Sequence, residues 1–105
     1  MKNYLIISLL ILSVLYSQKK YNIDHINKRG DVYYRKFSNE IVNGNVYQMF
    51  GDMKVVLGKM KDGKKNELWT EWSENGKKKK EITYKDGELI SSKCWDEDGN
   101  EKECD

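Results

Sequence analysis

Two cysteines, Cys94 and Cys104, have the spacing that most directly suggests chemistry in this chain. Two thiols with no histidine nearby make a poor metal site, and an even number of cysteines in an exported chain favours a disulfide. The intervening Asp98 and Gly99 form a strong hairpin-turn signal. A two-residue turn would leave the cysteines one place out of register, whereas an odd-length loop centred on Gly99, or a bulge, would bring them opposite. We predict the disulfide, worth roughly 2–3 kcal/mol, over the alternative of two free thiols.

The other side chains capable of acid–base or nucleophilic chemistry form no recognisable set. His25 is the only histidine, and the acidic cluster at 96–98 lacks the ligand spacing of a calcium loop. No serine lies in a nucleophile-elbow context, and no glycine loop has phosphate-binding spacing. We therefore expect no catalytic, metal or cofactor site and no enzyme activity.

The aromatic residues can either anchor a partner or fill the core. A thin sheet with few aliphatic residues needs the area of tryptophan, on the order of 200 Å² each, while tryptophan also dominates binding energy at interfaces. The core interpretation is favoured for Trp72 and Trp95, and it stays open for Trp69, because residues three apart on a regular strand point to opposite faces. The candidate partner-binding residues are Trp69, Trp72, Tyr84 and Trp95.

The lysine run at 77–80 could contact phosphate or anionic lipid. On a strand, however, its side chains would alternate between faces. Acidic residues at 71, 74, 81 and 86 surround it, so cross-strand ion pairs on a solvated edge are the simpler expectation. Near-neutral charge, 18 Lys and Arg (all but Lys2) against 17 Asp and Glu, argues against a nucleic-acid partner. Binding to a membrane surface remains an alternative.

The first residues resemble an export signal. The apolar run at 5–15 follows Lys2 and is too short for a hydrocarbon core, which needs about 20 residues. We predict a signal peptide at 1–17, cut after Ser17, and a flexible leader at 18–28. A retained membrane anchor or a buried strand is the alternative.

The rest of the chain repeats with a period near 23. Trp72 aligns with Trp95 and Gly76 with Gly99, and the "KDG" at 61–63 recurs at 85–87. Three units, about 43–64, 67–89 and 90–104, each read as two short strands joined by a glycine turn, with Asn75 and Gly76 predicting a type I′ turn. The sequence predicts an all-β domain over 29–105, an antiparallel β-hairpin repeat that forms a meander or a short solenoid. Residues before 43 would form its N-terminal cap.

The unit "LWTEWSENGKKKKEITYKDG" resembles the MORN-like repeat variant of the bacterial YwqK family of antitoxins. That repeat has two aromatic residues three apart, then x-E-N-G, a basic segment, an aromatic residue and K-D-G. These places are filled here by Trp69, Trp72, residues 74–76, residues 77–80, Tyr84 and residues 85–87. The resemblance implies a β-hairpin repeat fold and a toxin as partner.

Taken together, these patterns predict an exported, non-enzymatic repeat protein that acts as a small protein-binding or scaffold module in the periplasm or outside the cell. The alternative suggested by the resemblance is the antitoxin or immunity partner of a toxin. A third interpretation is weak binding to an anionic membrane surface through the lysine strand.

Overall fold

A computed structural model describes residues 19–105, and it is almost entirely β-structure, as the sequence predicts. The predicted signal peptide lies outside the described residues. The strands are β1 (Lys19–Asn22), β2 (Ile26–Arg29), β3 (Val32–Arg35), β4 (Gly44–Phe50), β5 (Met53–Lys61), β6 (Lys64–Trp72), β7 (Lys78–Lys85), β8 (Glu88–Trp95) and β9 (Glu101–Lys102). A single 3₁₀ turn, Ile23–His25, follows β1 within this part of the chain. No helix within residues 19–105 has the length and apolar character needed to cross a membrane.

Each predicted repeat unit corresponds to one hairpin. The hairpins are β4–β5, β6–β7 and β8–β9, and together with β1 they form an open seven-stranded sheet in the order β1-β4-β5-β6-β7-β8-β9. Consecutive hairpins are joined by two-residue turns at Asp62-Gly63 and Asp86-Gly87. All four residues have positive φ, between 51° and 86°, which is the geometry of a type I′ turn. The "KDG" signals therefore mark the reversals between units.

The turn at Asn75 and Gly76 differs from the predicted two-residue type I′ turn. Ser73 N–H donates to the Lys77 carbonyl at 2.8 Å and Gly76 N–H donates to the Ser73 carbonyl at 3.0 Å, so the loop has three residues. Gly76 has positive φ and Asn75 does not. Asn75 instead uses its side chain, whose Oδ1 accepts the Lys77 N–H at 3.1 Å. Such a loop is a turn followed by a left-handed glycine that forms a bulge.

The same three-residue loop recurs 23 residues later. Asp96 N–H donates to the Asn100 carbonyl at 2.9 Å, and Gly99 N–H donates to the Asp96 carbonyl at 3.1 Å. Gly76 and Gly99 have φ of 83° and 87°, so the predicted alignment of these two glycines is matched by their backbone conformation. The second and third hairpins therefore end in equivalent loops.

The predicted flexible leader at 18–28 is wrong over residues 19–28. Strand β1 pairs in parallel with β4, with Tyr21 opposite Val46, and the chain continues through the 3₁₀ turn into β2. Tyr21 and Ile26 are each only 6% exposed. The polar residues of this segment face solvent, while these two apolar side chains hold it on the sheet.

The strands β2 and β3 form a separate hairpin that caps the first repeat hairpins. Backbone hydrogen bonds attach this hairpin and the segment that follows it: Tyr33 N–H donates to the Gly63 carbonyl at 2.8 Å, and Gly63 N–H donates to the carbonyl of Val42, after β3, at 2.8 Å. Tyr21 Oη donates to Glu40 Oε2 at 2.9 Å. Burial and this hydrogen bond raise the pKa of Tyr21, and the same hydrogen bond lowers the pKa of Glu40.

The core lies where the cap, β1 and the first hairpins meet. Its buried members are Tyr21, Ile26, Val42, Val46, Met60 and Trp69. Beyond this cluster the sheet is thin: Ile82 and Cys94 are the buried apolar residues of β7 and β8. Leu68, Leu89 and Ile90 are 48%, 56% and 59% exposed. The hairpin end of the domain therefore depends less on core packing than the cap end does.

Candidate functional site

The burial of the three tryptophans differs from the burial that the sequence predicts. Trp69 is 6% exposed and belongs to the core, and its indole N–H donates to the Lys59 carbonyl at 2.9 Å. Trp72 and Trp95 are half-buried. The favoured core interpretation of these two is therefore corrected, and Trp69, whose position was left open, is the buried one.

The burial of Trp69 and the partial exposure of Trp72 follow from a change of partner within β6. This strand pairs with β5 through residues 64–66 and with β7 through residues 67–72, and Glu67 at the change of partner has a φ of 65°. The ring of Trp69 is thereby free to fold over β5, where it lies directly on Gly58. Trp72 is at the far end of β6, opposite Lys78.

A groove of about 960 Å³ runs along the free end of the second and third hairpins. We call it the hairpin-end groove. Its lining residues are Trp72, Ser73, Glu74, Asn75, Lys78, Lys79, Trp95, Asp96, Glu97, Asp98 and Lys102. The two tryptophans reach it because each precedes an equivalent three-residue loop on neighbouring hairpins.

Lys78 lies on β7, between the strands that carry Trp72 and Trp95. It is opposite Trp72 in the β6–β7 register, and its Nζ is 5.5 Å from the centroid of the Trp95 ring. The same ammonium group forms an ion pair with Glu81 at 3.3 Å. The groove therefore presents two aromatic side chains and, on the strand between them, a cation whose charge is already partly balanced.

The rim of the groove carries both signs of charge. Glu74 and the acidic loop at 96–98 oppose Lys79 and Lys102. The Asp96 carboxylate is occupied within its own loop, because it accepts the N–H groups of Asp98 at 3.0 Å and Asn100 at 2.9 Å. Such a rim suits a partner with mixed polar groups rather than a polyanion.

The indole N–H of Trp72 is buried and has no hydrogen-bond acceptor within residues 19–105. Leaving a buried donor unpaired costs roughly 1–3 kcal/mol. One of the two tryptophans of the groove therefore carries a buried donor that no group within residues 19–105 satisfies.

The lysine run does not converge on a single site. Lys77 Nζ donates to the Glu97 carbonyl at 3.3 Å, whereas Lys78 contacts Glu81 and Trp95. Among the described residues, the ion pair of the run joins Lys78 and Glu81 within β7, and the expectation of cross-strand ion pairs for these lysines is not met. The register of β7 is interrupted between Lys80 and Lys78, which turns these side chains in different directions.

Tyr84 and Trp72 line a second recess, of about 340 Å³, which we call the aromatic cleft. Trp69, Leu57, Ile82 and Lys65 also line it. Lys65 is half-buried, and desolvation lowers its pKa, opposed by Glu71 and assisted by Lys28. Burial raises the pKa of Tyr84. Sequence reasoning missed Lys65, since a lysine near a turn carries no signal that distinguishes it from solvated neighbours.

Cys94 and Cys104 form the disulfide that the sequence predicts, with their Cα atoms 5.3 Å apart. The three-residue loop places Cys94 opposite Lys102 rather than opposite Cys104. The bond therefore joins a diagonal pair, and it fastens the chain end after β9 to β8. This holds Trp95 and the loop at 96–98 in the wall of the hairpin-end groove.

Comparison of the chain with models of protein families, with curated proteins and with solved structures finds no match. The resemblance to the YwqK family therefore stays a prediction from the residues of the repeat unit.

Proposed function

We propose that this chain is an exported, non-enzymatic protein-binding module whose binding surface is the hairpin-end groove. One observation carries the proposal: Trp72 and Trp95, from matched positions of neighbouring hairpins, line one groove of about 960 Å³. Half-buried tryptophans in a groove present large apolar area and a polar N–H at a low cost in side-chain ordering, which is the composition of protein-interface hot spots.

The mixed charge of the rim supports a protein partner over a membrane. An anionic membrane surface attracts clusters of basic residues, whereas Glu74 and the acidic loop at 96–98 interrupt the lysines here. Weak membrane binding through the lysine run remains the less favoured proposal.

The resemblance to the YwqK family makes a toxin the first partner to test. In that alternative the chain is an immunity protein that blocks an exported toxin, and the groove is the blocking surface. Co-expression of the chain with the product of its neighbouring gene decides between the two. If that product inhibits growth and the chain relieves the inhibition, the product is a toxin and the chain its immunity protein. A product that binds the chain but does not inhibit growth would favour the scaffold role.

Replacing Trp72 or Trp95 with alanine is expected to weaken binding of that partner by about 30-fold or more, the effect of losing a hot-spot residue worth about 2 kcal/mol. Isothermal titration with the purified partner measures it. Tyr47→Ala is the matched control, because Tyr47 is a half-buried aromatic residue that stacks with Lys54 outside the groove. Equal affinity of wild type and both tryptophan variants would refute the groove as the binding surface.

The export proposal rests on the predicted signal peptide, and the disulfide is compatible with an oxidising compartment. Intact-mass spectrometry of protein recovered outside the cytoplasm should show a chain that starts at Gln18 and lacks two hydrogens relative to the reduced form. Material that still starts at Met1 and has two free thiols would contradict export.

A further inference from the structure

A small pocket of about 170 Å³ lies between the cap hairpin and the repeat sheet, and we call it the cap pocket. The cap contributes Lys28, Asp31 and Tyr33, and the repeat sheet contributes the rest. The residues from the sheet are Lys64, Lys65, Tyr84 and Gly87. Three lysines and one aspartate thus surround a space large enough for a few non-hydrogen atoms.

The ammonium group of Lys65 is directed between two aromatic rings. Its Nζ lies 4.9 Å from the Trp69 centroid and 5.3 Å from the Tyr84 centroid. Across the pocket, Lys28 Nζ lies 5.9 Å from the Tyr33 centroid. Lys28 is near enough to oppose the charge of Lys65 and lower its pKa. Two like charges held near each other in a partly desolvated pocket favour an anion between them.

Within residues 19–105 no carboxylate forms an ion pair with a lysine of this pocket, although Glu71 lies near enough to Lys65 to oppose the lowering of its pKa. The ion pairs within residues 19–105 join other lysines and arginines to Glu40, Glu81 and Glu101, and none includes a lysine of this pocket. Within the same residues, Asp31 is the one acidic residue that lines the pocket, against three lysines. The pocket therefore keeps an excess of positive charge next to aromatic walls.

The pocket continues into the aromatic cleft, because Lys65 and Tyr84 line both. The wall of the cleft is mixed: its apolar side chains are Ile23, Leu57, Trp69 and Ile82, and Gln48, Thr70, Glu71 and Lys79 also line it. A ligand with its charge at Lys65 would extend its remaining atoms along the apolar part of this wall. Small-molecule sites typically combine apolar side chains with a few placed polar groups.

We propose that the cap pocket and the aromatic cleft form one binding site for an amphipathic oxyanion, with its charged head between Lys28 and Lys65 and its apolar chain along Trp69, Leu57 and Ile82. A free acyl carboxylate and the carboxyl terminus of an apolar peptide both have this chemistry. The site shares only Trp72 and Lys79 with the hairpin-end groove among the described residues, so failure of one proposal leaves the other standing.

Titration of the ¹⁵N-labelled protein with octanoate, followed by NMR, tests the site. Octanoate should bind saturably and shift the amide signals of Lys65 and Gly87. Octanol, which lacks the charge, and acetate, which lacks the chain, should each bind about tenfold more weakly or worse. A short apolar peptide with a free carboxyl terminus, compared with its amide, shows whether the natural source is a peptide or a free amphiphile.

Lys65→Met and Lys28→Met remove the head contacts from the two sides of the pocket, and each should weaken octanoate binding about tenfold or more. Lys54→Met is the matched control, because it removes a lysine that stacks on an aromatic ring outside the pocket. If Lys65→Met does not fold, the test relies on Lys28→Met, because Lys28 is an exposed residue of the cap whose replacement should leave the fold intact. Octanoate binding no tighter than octanol, or unchanged binding in the folded lysine variants, would overturn the proposal.

Discussion

Trp69→Ala is expected to lower the free energy of unfolding by about 3–5 kcal/mol, the largest effect of any single substitution that we predict. Trp69 is the largest member of the core, 6% exposed, and truncation would remove its contacts and leave a cavity between β5 and β6. It would also leave the Lys59 carbonyl without its indole donor. For a domain of this size the loss is comparable to a large part of the total stability. Urea denaturation followed by circular dichroism measures it.

Gly58→Ala tests the same packing from the other strand. The Trp69 ring lies so close to Gly58 that an added Cβ would overlap the ring atoms. The substitution should therefore cost about 1–3 kcal/mol, the usual range for overpacking, although alanine suits a strand better than glycine does. Combining Gly58→Ala with Trp69→Ala should cost less than the sum of the single effects, because truncation of the indole ring leaves room for the new methyl group.

Trp95→Ala is the matched control, since Trp95 is a half-buried tryptophan outside the core cluster. It should cost clearly less than Trp69→Ala. Equal losses for the two variants would mean that the difference in burial does not determine their contributions, and would contradict the assignment of Trp69 to the core and Trp95 to the groove.

The turns were the part of this fold that local sequence could predict. Gly51, Gly63, Gly76, Gly87 and Gly99 all adopt positive φ, and a glycine is the residue that takes this conformation without a steric penalty. Because each turn fixes where the chain reverses, the three hairpins follow from the spacing of these glycines. The type of turn was less predictable, since Asn75 contributes a side-chain hydrogen bond rather than a left-handed backbone.

The sequence could not predict in the same way which face of each strand is buried. Simple alternation fails where the register shifts, as it does between Glu71 and Trp72 and between Thr83 and Tyr84. It also cannot show which face is covered, because the cover comes from β1 and the cap, far away in sequence. The assignment of Trp72 to the core failed because Trp72 lies at such a register shift. The polar composition of residues 19–28 likewise concealed Tyr21 and Ile26, whose partners are distant in the chain.

Of the two candidate sites, one could be predicted from local sequence and the other could not. The equivalent positions of Trp72 and Trp95 follow from the 23-residue repeat, so the sequence could place both at matching hairpin ends. The cap pocket brings together Lys28, from before the repeats, and Lys65, from the second hairpin. No periodicity relates these two lysines, and only the attachment of the cap to Gly63 brings them near each other.

Reduction of the Cys94–Cys104 disulfide is expected to lower the free energy of unfolding by about 2–3 kcal/mol, because the bond removes conformational entropy from the unfolded chain. For a domain of this size that corresponds to a fall in Tm of about 10 °C or more. Thermal unfolding with and without reductant measures the change. Cys104→Ser, which removes the bond but keeps the buried Cys94, should match the reduced wild type and be insensitive to reductant.

The disulfide should also matter for binding, because of where it lies. Strand β9 has two residues, and a hairpin this short is not stable without a further constraint. Releasing Cys104 should therefore let β9 separate from β8 and loosen the loop at 96–98, which forms one wall of the hairpin-end groove. Partner affinity should fall in Cys104→Ser even at temperatures where the rest of the sheet stays folded, while octanoate binding at the distant cap pocket should not change. A Cys104→Ser protein that keeps wild-type affinity for its partner would show that Trp72 and the second hairpin are sufficient for binding, and that the third hairpin serves stability alone.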